Sequence, residues 1–240
     1  LNVPEDLSEI TLGQYMKFLK LEFDDETKNS FALQKMVEIF CNANLKDIAD
    51  IRFSDITKIT NHLQTIFTQE CKLIPEISLN GVKYGFIPNL DDMTLGEYVD
   101  LDNYFHDWET MDRAMCVLYR PTKFSKNGKY LIEDYEGTDN HIEMRNLPLN
   151  VVMGAKVFFL SYRNRIAESY PELFSGSGHD GSASANFGAK YGWYSSIYGL
   201  ASGDITRFDT VTKMNVHQCL MYLTFEKEKN ELEKKMINKK

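Results

Sequence analysis

The residues of this 240-residue chain whose types suit chemistry are four cysteines, five histidines, a run of aspartates, two adjacent serines and a glycine-rich stretch. Cys41, Cys71, Cys116 and Cys219 lie far apart with no Cys-x-x-Cys pair, so neither a zinc knuckle nor a dithiol redox site is encoded. Cys41, Cys116 and Cys219 sit inside apolar helical patterns and are expected as reduced core thiols of a protein folded in the cytosol. His62, His106, His141, His179 and His217 are scattered singly, without ligand spacing. Asp100 and Asp102 start like a calcium loop, but the glycine and the glutamate that such a loop needs further on are missing. Asp91, Asp92, Asp100, Asp102 and Asp107 read instead as helix starts and turns. Gly176, Gly178, Gly181 and Gly188 are not followed by the Lys-Ser/Thr of a phosphate loop, and Ser195 and Ser196 lack the Gly-x-Ser-x-Gly context of a hydrolase. The expectation is a non-enzymatic chain with no cofactor and no metal.

The elements around these residues are more informative. Leu7-Ser-Glu-Ile-Thr-Leu-Gly-Gln-Tyr15 recurs as Leu90-Asp-Asp-Met-Thr-Leu-Gly-Glu-Tyr98, with Pro4 and Pro88 just before each copy. In each, the threonine reads as an N-cap and Gln14 or Glu97 completes a capping box. An amphipathic helix follows, over 12–23 and 95–105, then an acidic loop and a second helix, over 31–40 and 111–119. The pattern predicts a duplicated helix-loop-helix. Between the copies, Asn80-Gly81 flanked by Ile77, Leu79, Val82, Tyr84 and Phe86 is a β-hairpin signal, and a second hairpin is expected over 123–132 around Asn127-Gly128. A long helix spans 147–170, with Pro148 at its start and Pro171 at its stop.

Residues 175–188 are rich in glycine and serine and read as a linker; the C-terminal part then gives two or three helices. The first carries Tyr191, Trp193, Tyr194 and Tyr198. The last starts at Asn215, draws its apolar side from Val216, Leu220, Leu223, Leu232 and Met236, and ends in alternating Glu and Lys. The predicted class is mainly α with one or two small β-hairpins, an α+β arrangement. Its layout is a duplicated helical body over 1–174, a linker over 175–188 and a C-terminal helical segment over 189–240.

Composition sets the partners. Apolar residues make up 43% of the chain, enough for a core, and the formal charge is −8, which disfavours a phosphate-binding face and makes nucleic acid an improbable direct ligand. No apolar run reaches the length of a membrane span, and no signal peptide pattern precedes the longest, Val151 to Leu160. The aromatic group Phe187, Tyr191, Trp193, Tyr194 and Tyr198 has no interleaved arginines, so packing against protein suits it better than stacking on bases. Trp108 and Trp193 are the candidate interface anchors, with Tyr191, Tyr194 and Tyr198 beside them.

The stretch Gly192-Trp-Tyr-Ser-Ser-Ile-Tyr-Gly-Leu-Ala-Ser-Gly-Asp-Ile-Thr-Arg-Phe208, with Cys219-Leu-Met-Tyr-Leu-Thr-Phe-Glu-Lys-Glu-Lys229, resembles the C-terminal segment of tailed-phage structural and tail-assembly proteins. Tyr84 to Asp102, Ala114 to Pro121 and Leu147 to Phe159 are similar to proteins of phages infecting Bacteroidetes, including crAss-like phages. The resemblance covers about residues 80–230 and implies phage morphogenesis, with no family active site to carry over. It implies a virion subunit, a ring or connector at the portal vertex or tail. Such a subunit is present as a symmetric homo-oligomer contacting portal, tail or ring proteins and is assembled in the host cytoplasm. The alternative is a tail assembly chaperone that leaves before the virion matures, whose two-part layout the Gly/Ser break would suit. A metal-dependent enzyme built on the aspartates is the remote third possibility.

Overall fold

The computed structural model describes residues 1–21, 28–126, 128–174 and 190–237. The Gly/Ser stretch, His179, Phe187 and Asn127 fall outside these. The fold is mainly α-helical with a small four-stranded antiparallel sheet, as the sequence predicts. Among the described residues, no helix is long and apolar enough to cross a membrane. The chain divides into two compact units, each discontinuous in sequence: one of Leu1–Phe86 and Tyr104–Phe158, the other of Ile87–Asn103 and Phe159–Lys240.

The first unit begins with a 3-10 turn at Leu7–Glu9, capped by Asp6, and then α1, Leu12–Leu19. The predicted capping box forms: Thr11 Oγ1 accepts from Gln14 N, and Gln14 Oε1 accepts from Thr11 N at 2.8 Å. α2 (Lys28–Phe40), α3 (Leu45–Ala49) and α4 (Phe53–Ile66) follow. Val37, Cys41, Ile48 and Ile56 form a small core among them. The two hairpins are not separate. β1 (Glu76–Leu79), β2 (Val82–Phe86), β3 (Tyr119–Lys126) and β4 (Lys129–Ile132) make one sheet in sequence order, because β2 pairs with β3 with Phe86 opposite Tyr119. The Asn80-Gly81 turn has positive φ at both residues, +51° and +81°, the conformation a tight two-residue hairpin demands. α6 (Met111–Leu118) runs directly into β3 and buries Ala114, Met115 and Val117.

The second unit repeats this opening. A 3-10 turn at Leu90–Asp92, capped by Asn89, leads into α5, Leu95–Tyr104. Thr94 donates N–H and Oγ1–H to Glu97 Oε2, and accepts from Glu97 N. Of the remaining helices, α7 (His141–Met144) and α8 (Leu149–Ser169) as far as Phe158 belong to the first unit; the rest of α8, α9 (Pro171–Phe174), α10 (Trp193–Leu200), α11 (Phe208–Thr212) and α12 (Val216–Ile237) belong to the second.

The duplication goes deeper than the nine aligned positions, of which five are identical. In the first unit the cap residue Thr11 forms an isolated antiparallel bridge with Pro148, at the start of α8; Leu12 N–H donates to Leu147 O, and Leu149 N–H to Ile10 O. In the second, Thr94 bridges Asn215 at the start of α12; Leu95 N–H donates to Met214 O, and Val216 N–H to Met93 O. Each copy therefore clasps the N-terminus of one helix to that of another, satisfying orphan N–H groups of both. The glycine of each repeat has its reason here. A Cβ at Gly13 would lie 3.1 Å from Arg145 O, and one at Gly96 3.1 Å from Thr212 O. The helix before the clasped one thus presses its backbone on the first turn of the repeat helix. Glu97 is buried, so Thr94 matters beyond an ordinary cap. Thr94→Ala is expected to destabilise the protein by about 1–2 kcal/mol, read as a lower urea midpoint at unchanged slope; no shift would remove the Thr94–Glu97 capping box from the account of stability.

Candidate functional site

The two tryptophans named by the sequence are each half-buried and engaged inside their own unit. Trp108 opens a 3-10 turn, Trp108–Thr110, whose cap Asp107 accepts from Glu109 N at 2.9 Å. Its ring meets Tyr15 edge-on, with centroids 4.8 Å apart, and Lys156 Nζ stands 4.1 Å from its centroid. Burial lowers the Lys156 pKa, and the ring face replaces part of the lost hydration.

Trp193 is held more tightly. Its Nε1–H donates to Asp102 Oδ2 at 2.9 Å, while Arg163 Nε donates to Asp102 Oδ1 at 2.8 Å. Tyr98, from the repeat, packs edge-on to Trp193 with centroids 5.6 Å apart, and Phe174 lies 6.4 Å away on α9. Asp102 thus fixes the first residue of α10 from α5 and α8, and burial raises the pKa of Tyr98. Neither Asp102 as the Trp193 partner nor Arg163 as the Asp102 partner is recognisable from sequence, because the three lie on different helices.

With Trp193 anchored inward, the tyrosines face out. Tyr191, Tyr194 and Tyr198 are 40%, 52% and 53% exposed. Tyr194 leans on Phe208 at the start of α11, with ring centroids 5.5 Å apart, and Ile205 adds an exposed apolar side chain in the intervening turn. α10 has the sequence Trp-Tyr-Ser-Ser-Ile-Tyr-Gly-Leu and no fully buried residue. A helix so apolar normally lies in a core. Of the twenty-two large apolar side chains exposed among the described residues, eleven belong to residues 190–237. Exposed apolar surface is therefore concentrated in this segment.

The last helix departs from its expected pattern. Val216 and Leu220 are buried with Cys219, whereas Leu232 and Met236, read as part of the same side, are 59% and 62% exposed. The apolar residues of α12 occupy two faces, an inner one at its start and an outer one further on.

Asp91, Asp92 and His217 are engaged in hydrogen bonds within the second unit. Asp92 accepts from Asn89 Nδ2, and Asp91 Oδ1 lies 3.2 Å from His217 Nε2, whose Nδ1 is 3.0 Å from Tyr170 Oη. Cys41, Cys116 and Cys219 are buried, and burial pushes the Cys116 thiol up to about 12, far from the thiolate a nucleophile needs. Cys116 and Tyr84 line a cleft of about 280 Å³ in the first unit, together with Arg120, Glu133, Tyr135 and Asn140. Burial and the neighbouring Glu143 carboxylate, which accepts from Tyr84 Oη at 3.2 Å, push the Tyr84 phenol up to about 12. The Tyr84 phenol and the Cys116 thiol are thus held protonated at neutral pH.

No protein-family model, curated protein or solved structure matches the chain.

Proposed function

We propose that this chain is a non-enzymatic morphogenesis subunit of a tailed phage, a ring or connector at the portal vertex or tail, working through protein–protein contacts. The observation that supports it is α10, an apolar aromatic helix anchored by Trp193 on Asp102 and left uncovered on its tyrosine side. Tyrosine brings large contact area at low entropic cost and keeps a hydroxyl for water or a partner. The resemblance of residues 192–208 and 219–229 to tailed-phage structural proteins points to the same segment.

The test is mass spectrometry of purified, DNA-filled particles of the source phage, with stoichiometric peptides of this chain as the expected result. Presence in infected-cell lysate with absence from particles would assign the chain to transient tail assembly instead. In the same system, Tyr194→Ser/Tyr198→Ser is expected to fold with stability within about 0.5 kcal/mol of the parent and to enter particles at least tenfold less well. Unchanged incorporation would remove α10 from the contact surface.

A further inference from the structure

We infer that α12 pairs with α12 of a second copy of this chain in antiparallel orientation. The inference goes beyond the proposed assembly role by naming the partner and the surface. At 3.6 residues per turn, Met221, Phe225, Leu232 and Met236 fall within an arc of about 60°. They are 61%, 59%, 59% and 62% exposed. Met221 and Phe225 recur eleven residues on as Leu232 and Met236, a period near that of the helix itself, so the stripe runs along the axis with little drift. Val216, Cys219 and Leu220, which bind α12 to its own unit, lie on the opposite side, about half a turn away. A second helix laid on the stripe therefore meets no part of the face already in use, and its own body lies outboard.

From Lys227 to Ile237 every residue of α12 is exposed. A helical extension of that length, with three large apolar side chains in water, is marginal by itself and gains from cover. The charges bordering the stripe say what the cover is. Glu228 and Lys235 flank it on one edge, Lys229 and Glu233 on the other. Each edge carries opposite signs at its two ends, so each is complementary to its own reversed copy. An antiparallel pair centred near Leu232 brings Glu228 to Lys235 of the second copy and Lys229 to Glu233, each contact occurring twice. Phe225 then lies beside Met236 of the second copy, and Leu232 meets its own counterpart near the two-fold axis. Within the helix, Lys229 Nζ also reaches Glu226 Oε1, at a loose 3.7 Å, and Glu231 stands one turn before Lys235, so both lysines have an internal alternative to the contacts across the pair.

The experiment is sedimentation velocity of the full chain over a concentration series at low salt, with circular dichroism to confirm folding. The expected result is a reversible dimer that Leu232→Glu abolishes. Glu228→Lys places like charges across the pair and should weaken it about tenfold or more. Adding Lys235→Glu to that variant should restore it to within about threefold, since reversing both ends of an edge preserves complementarity in the antiparallel pair. In a parallel pair the same two reversals act on different partners and both harm, so failure of the double variant to recover would overturn the orientation. A monomer at all concentrations would overturn the pairing itself. These readouts need no phage particle. A chain that dimerises but is absent from virions would sink the assembly role alone, and a monomeric chain present in virions would sink the pairing alone.

Discussion

Gly154→Ala is expected to cost the protein about 2–3 kcal/mol and lower its melting temperature by roughly 5–10 °C. Gly154 lies inside α8, where propensity alone argues the other way: alanine in a helix interior is favoured over glycine by about 1 kcal/mol. Close approach decides the sign. A Cβ on Gly154 would stand 2.2 Å from Lys72 O and 2.6 Å from Lys72 C, distances no methyl group tolerates. The obstacle is backbone, and that backbone is tied down. Two residues on, Ile74 O accepts from Tyr119 Oη at 2.7 Å, and Pro75 O accepts from Phe86 N at 2.8 Å. The segment after α4 cannot retreat without breaking its attachment to the sheet, so α8 would have to move, and it is buried there through Val151, Val152 and Ala155. Calorimetry measures the shift directly; an equal or higher melting temperature would mean that α8 and the Lys72 backbone separate at little cost.

Arg145→Met is the second large effect, with an expected loss of about 3 kcal/mol. Arg145 Nε donates to Asp112 Oδ2 at 2.8 Å, and the Asp112 side chain is 1% exposed. Asp112 Oδ1 accepts from a backbone N–H, that of Arg113 at 2.9 Å. Removing the guanidinium leaves a carboxylate out of water without its counter-charge, and the penalty is that of the stranded ion rather than the value of the pair. The expected signature is asymmetric. Asp112→Leu/Arg145→Met, which removes both charges, should recover at least half of the loss in urea denaturation. A single variant that loses less than about 1 kcal/mol, as at an exposed ion pair, would show that water reaches Asp112 after all.

Much of the local structure was legible in the residues. The capping boxes at Thr11 and Thr94, the Asn80-Gly81 turn, the N-cap at Asn215 and the limits of α8 between Pro148 and Pro171 all rest on interactions within a few positions of one another. Sequence alone displays such interactions. α4 was not legible. Its start at Arg52 has no side-chain cap, and isoleucine and threonine recur along it, so its helix depends on burying Ile56, Leu63 and Ile66 against the rest of the first unit.

What tertiary structure decided is which apolar residues are inside. Trp193 and Tyr194 are neighbours of similar character, yet one is anchored by Asp102 and the other faces solvent. Leu220 and Leu232 lie on one helix, yet one is buried and the other 59% exposed. Periodicity marks a residue as apolar and places it on a face. Only the arrangement of the remaining chain determines whether that face is covered, and by which long-range partners. The repeat shows the same division: its nine aligned positions specify a capped helix twice, but the clasps of Thr11 to Pro148 and of Thr94 to Asn215 join segments more than a hundred residues apart. Backbone hydrogen bonds of that kind leave almost no trace in side-chain identity, apart from the glycines at 13 and 96 that allow the close approach.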